Sequence, residues 1–198
     1  MRPSARLVVI TAAAALLLSS VAACAGPGPS SSSSARPGSR TGAECPVGAW
    51  VVDIQNLEQQ VVDAVPENIE VVGHSSSGTQ KWTFTAHHLS IASDFSISVT
   101  EEPEAGHELQ VSQHHSGTVQ MDWALDGTDM SFSHYDAGDG AVTTTEVSEG
   151  TTIEGAPVPL ASQNPFEPGF ETVCRGAGMT ITTNGTEFTS HLSRAGGH

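Results

Sequence analysis

The chain has 198 residues, 22 acidic against seven basic, and a formal net charge of −15. Such an acidic balance excludes a nucleic-acid binder held by phosphate contacts and opposes binding to anionic lipid headgroups. Only three cysteines are present, too few for a cysteine-rich scaffold, and no CxxC spacing accompanies them.

The first 23 residues read as an export signal. Arg2 and Arg6 form a short positive region, Leu7 to Leu18 are apolar and uncharged, and Ser19 to Ala23 are small. The apolar run falls short of the ~20 residues that a helical span needs. Val21-Ala22-Ala23-Cys24 resembles the lipobox of bacterial lipoproteins. The resemblance implies that Cys24 carries the lipid on its sulfur and becomes the new N-terminus, placing the protein on the outer face of the cell membrane. Two or more acyl chains hold a protein on a bilayer stably, whereas one does so marginally. Residues 24–44 then form a Ser/Pro/Gly tether with a reach of about 25 Å. Beyond the signal the charge is more one-sided, five basic against 22 acidic residues, or −17. Residues 45–194 are expected to be a single domain.

Cys45 and Cys174 lie near the ends of that domain. Two cysteines outside the cytoplasm usually pair, and a bridge between them would close nearly the whole domain into one loop, worth about 5 kcal/mol on chain-entropy grounds.

Alternation of apolar and polar residues dominates from there on. A helix is predicted from Asn56 to Val65, with Leu57, Val61 and Val65 on one side, Asn56 as its cap and Pro66 as its stop. Trp82, Phe84 and Ala86 share one strand face. Phe95, Ile97 and Val99 alternate with serines, and Glu101 to Gly106 is expected as a longer turn before Leu109 and Val111. Asp126-Gly127 is expected to form a two-residue turn pairing Trp123 with Met130, Met121 with Phe132 and Val119 with His134. Asn184-Gly185 is expected to do the same, pairing Ile181 with Phe188. Residues 155–170, with four prolines, are expected as a long loop.

Many short antiparallel strands with marked turns mean a sandwich or a barrel. Cys45-Pro46-Val47-Gly48-Ala49-Trp50 resembles the Gly-x-Trp first strand of lipocalin-like barrels. With Trp82-Thr83-Phe84 and Cys174-Arg175-Gly176, the chain is similar to a group of secreted lipoproteins of high-GC Gram-positive bacteria. That resemblance implies an all-β fold: an antiparallel meander barrel with one short helix after the first strand. The group often has an aromatic two residues before the closing cysteine, where this chain has Thr172.

No Gly-x-Ser-x-Gly, HExxH, P-loop or dinucleotide motif occurs. His74 beside Ser75, Ser76 and Ser77 reads as a solvated loop, and no motif calls for a cofactor. The expectation is a non-enzymatic binding or structural module whose inward aromatics, Trp50, Trp82, Phe84, Phe95, Trp123 and Phe132, form the core or line a site for one small apolar ligand. The alternative rests on the nine histidines. If alternation persists to the strand ends, His88, His115 and His134 point inward and could bind zinc or copper. Asp126 to Asp129 and Asp136 to Asp139 lack the spacing of a calcium loop, and Asn184-Gly-Thr186 reads as turn chemistry rather than a glycan acceptor. The sequence names no protein partner.

Overall fold

The structure, a computed structural model, describes residues 45–104, 106–159, 169–186 and 188–196. The signal, Cys24 and the tether lie outside the described residues.

The domain is all-β. Its strands are β1 (Gly48–Val52), β2 (Glu70–Phe84), β3 (His88–Glu104), β4 (His107–Asp126), β5 (Asp129–Asp136), β6 (Ala141–Ser148), β7 (Thr151–Glu154), β8 (Val158–Pro159), β9 (Phe170–Arg175), β10 (Gly178–Thr183) and β11 (Thr189–Arg194). The helix α1 (Ile54–Asp63) follows β1. All strands pair antiparallel in one sheet, and eight of them close into a ring in the order β1, β2, β3, β4, β5, β9, β10, β11.

The ring is the expected barrel-like meander, with one addition. β3 and β4 are 17 and 20 residues long, and only one end of each is used to close the ring. Their other ends, with the first half of β2 and with β6, β7 and β8, run on as an open blade. The turn expected over Glu101 to Gly106 is therefore shorter, because Glu104 still pairs with His107.

Period-two patterning explains the ring's interior. Trp50 and Val52 of β1, Trp82 and Phe84 of β2, Leu89 and Ile91 of β3, Val119, Met121 and Trp123 of β4, and Met179 and Ile181 of β10 are all buried in one cluster. Fully burying one such side chain contributes roughly 1.5–3 kcal/mol.

The ring is joined at its ends. Arg194 of β11 lays its guanidinium 4.0 Å from the centre of the Trp50 ring and donates to the carbonyls of Val47 and Cys45. Gly48 sits beneath that guanidinium at φ +128°, and a Cβ there would collide with it. Trp50 Nε1 donates to Pro46 O at 2.6 Å. Cys45 and Cys174 form a disulfide, with Cα atoms 6.2 Å apart.

Helix α1 begins earlier than expected. Its cap is Asp53, whose carboxylate accepts from the Asn56 amide at 3.0 Å. Aspartate caps as well as asparagine, and capping here leaves Ile54, Leu57 and Val61 on the core side. Gln60 performs a strand's work. Its amide donates to Thr189 O at 2.8 Å and accepts from Thr189 N at 2.7 Å, covering part of the edge of β11 that β1 does not reach.

Both hairpins turn one residue later than expected, which moves each pairing partner by two. Asp126 pairs with Asp129 and Trp123 with Phe132, so the turn residues are Gly127 and Thr128. Gly127 takes φ +65° at the first turn position, which a type II′ turn requires. In the second hairpin Ile181 pairs with Ser190, and the Thr183 amide donates to Phe188 O. Shifts of two residues conserve which face each side chain takes. Of the long loop expected over residues 155–170, β8 occupies Val158–Pro159 and residues 160–168 lie outside the described residues.

Candidate functional site

The six aromatics behave first as a core. Trp50, Trp82, Phe84, Phe95 and Trp123 are buried and Phe132 is packed against the same cluster. Phe84 meets Trp123 edge-on at 5.5 Å between ring centres and Trp82 at 6.1 Å, and Phe132 meets Phe170 edge-on at 5.0 Å. Phe95 is set apart from the others. It lies where β3 passes from ring to blade and stacks on His115, ring centres 4.5 Å apart.

The three histidines expected to converge do not. His115 keeps its inward parity and is mostly buried. Burial, with the neighbouring His114, pulls its pKa down to about 4, so it is neutral near pH 7. His88 faces outward, because β2 ends at Phe84 and the turn before β3 resets the alternation, so that odd residues point inward from Leu89 onward. His134 leaves the alternation at a bulge in β5, where its φ is +51° and the register against β4 shifts. Both end beside Asp122 on the outer surface. His134 Nδ1 lies 2.8 Å from Asp122 Oδ2, and His88 Nδ1 contacts the other carboxylate oxygen. Desolvation is the largest single influence and raises the Asp122 carboxyl, but the hydrogen bonds and charges of the two imidazoles together outweigh it and hold it below the ordinary range. Among the described residues no three His, Cys, Asp or Glu side chains take an arrangement suited to a metal ion.

The serine run also differs from expectation. His74 and Ser76 lie within β2, not in a loop, on the side facing α1. There they meet Glu58, a buried carboxylate of the helix. His74 Nδ1 is 2.5 Å from Glu58 Oε1, and Ser76 donates to Oε2. Burial pushes the Glu58 carboxyl up, but these hydrogen bonds prevail and lower it. Chemically this is a dock for the helix. The hydroxyl sits on the carboxylate rather than on the far nitrogen of the imidazole, so the trio lacks the order of a nucleophile relay.

Two features carry no signal in the sequence. One is a cleft of about 440 Å³ at the blade's tip, lined by Thr100, Glu102, Glu108, Gln110, Val147 and Glu149. None of the six aromatics lines it. It depends on the pairing of β6 with β4, which neither alternation nor turn dipeptides indicate. The other is Thr172 in β9, which is 3% exposed and whose hydroxyl has no hydrogen-bond partner among the described residues. No family model, curated protein or solved structure matches the chain.

Proposed function

We propose that this protein is a lipid-tethered, extracytoplasmic binding module without catalytic chemistry, whose ring takes one small apolar ligand. The observation that carries the reading is the closed ring with aromatic side chains inside, joined across its ends by the Cys45–Cys174 bridge. A disulfide is what an oxidising compartment would leave in a domain of this kind. The signal, the small residues before Cys24 and the Ser/Pro/Gly tether support export and anchoring. The aromatics pack on one another, so a ligand would seat at the wall of the ring by parting side chains.

Phase partitioning of membranes in a detergent that separates on warming tests the anchor. The expected result is wild type in the detergent phase and Cys24→Ala in the aqueous phase, with a diacylglyceryl mass on the N-terminal peptide of the wild type alone. An unmodified Cys24 in the mature protein would overturn it. Organic extraction of natively purified protein tests the ligand. The expected result is a stoichiometric small apolar molecule, released only on unfolding.

A further inference from the structure

We infer that the ligand position lies against β9, with the Thr172 hydroxyl as its one polar contact, and that it takes a neutral, mainly apolar molecule bearing a single hydroxyl or carbonyl oxygen. The inference rests on the ligand-binding reading above and narrows it to a chemical class.

Thr172 alternates with Phe170 and Cys174 on the buried side of β9, and across the strand pair its partner is Ile181, also buried. Its surroundings are therefore apolar. A hydroxyl in such a place costs free energy unless it is paired, and buried polar side chains in native proteins are paired almost without exception. Among the described residues its oxygen is the only fully buried side-chain polar atom that lacks a partner. A hydroxyl both donates and accepts, so it suits an alcohol, a ketone or an ester.

Charge narrows the class. The buried residues include neither lysine nor arginine, so an anionic headgroup would have no counter-charge. Among the described residues the buried carboxylates are Glu58, committed to His74 and Ser76 of β2, and Glu101, far along β3 in the blade. Neither stands beside Thr172 to receive a cation. A neutral headgroup remains.

The wall beside Thr172 is also the ring's shortest seam. β5 and β9 are paired only at Asp129 with Glu171 and Met130 with Phe170, extended by the bond from Thr172 N to Thr128 O at 2.7 Å. Phe132, half-buried, rests edge-on against Phe170 at this seam. Parting those two rings would lead an alkyl tail toward the buried side of β9.

The test uses the mature chain from residue 24 onward with Cys24→Ser, so that no lipid competes, and reads tryptophan fluorescence from Trp50, Trp82 and Trp123. The probes are 1-decanol and undecane, matched in length. The expected result is saturable binding of decanol that is ~tenfold tighter than that of undecane, the worth of about one buried hydrogen bond. Thr172→Val should fold with an unchanged circular dichroism spectrum and lose the preference for decanol, because the alcohol's hydroxyl is then buried without a partner. Thr172→Ser, which keeps the hydroxyl, should retain the preference for decanol. An undiminished preference in Thr172→Val would overturn the role of Thr172 while leaving the ligand reading intact. Binding of neither probe by any of the three proteins would overturn the ligand reading itself.

Discussion

The ring and the blade are made by the same strands and obey different rules. In the ring, β2, β3 and β4 point large apolar side chains at one shared interior, and each residue there answers to side chains from several other strands. In the blade the same strands carry hydroxyls and amides on one face, while Ile97 and Val99 on the other face of β3 stay buried. Ser75, Ser98, Ser112 and Thr145 lie in one row across four strands, and Ser98 and Ser112 share a hydrogen bond of 2.7 Å. Such rows of cross-strand pairs add to the register of the sheet. One sequence pattern, alternation, thus serves two ends: an enclosed apolar interior in the ring, and in the blade a sheet whose polar face is solvated. Helix α1 lies beside the junction, with Glu58 on His74 and Ser76 and Gln60 on Thr189.

The contrast can be broken most forcefully from the ring side. Trp50→Ala removes an aromatic that is 1% exposed and carries Arg194 on its face, and should cost about 3–5 kcal/mol in urea unfolding. A loss under ~1 kcal/mol would mean that the ring is not the stable part.

The next test acts where ring and blade meet. The His115 pKa is lowered to about 4 in the folded state, against an ordinary value near ~6.5 when unfolded. Between those values the unfolded chain binds the extra proton, so stability falls as pH drops from about 6.5 to about 4 and is fully present above that window, by an amount on the order of 3 kcal/mol. His115→Phe, which keeps the stack on Phe95, should flatten that pH dependence in denaturant midpoints measured across the window. An unchanged slope would place the titration elsewhere.

A smaller effect is expected at the helix. Asp53→Ala removes the cap of α1 and should lower stability by about 1 kcal/mol, with Asp53→Asn close to neutral. Smallest of all, Ser98→Ala on the blade's outer row should shift stability by no more than ~0.5 kcal/mol, as surface substitutions do. A loss of several kcal/mol there would erase the distinction between the two regions.

The ring was legible because its information is local and repeated. Face assignment survives a register error of two residues, which is why Trp123, Met130 and Phe132 were placed on one apolar face although Asp126-Gly127 was read as the turn instead of Gly127-Thr128. Parity fails where the chain adds or drops one residue, and there the histidine reading failed with it. The turn at 85–87 reversed the side taken by His88, and the bulge at His134 turned that residue onto Asp122. The blade was legible only in part: the strands at Phe95–Val99 and Leu109–Val111 and the turn between them were expected, but not how far they extend or what flanks them. Its strands carry Ser, Thr, Gln and Glu on the outer face, so His74 to Gly78 and Glu101 to Gly106 looked like loops. The pairing of β6 with β4 spans a longer separation, which no local pattern records. The carboxylate of Glu58 gave no sign of its role, since only the packing of α1 on β2 brings His74 and Ser76 to it.

One consequence follows from where the bridge sits. If the segment before residue 45 is a leash to the membrane, any mechanical load on the domain arrives at Cys45. The bond to Cys174 passes that load straight to β9, on the far side of β11 and β10 from β1. A pull that would otherwise unzip the first strand is spread over the sheet, so the domain should resist tugging from its anchored end far better oxidised than reduced.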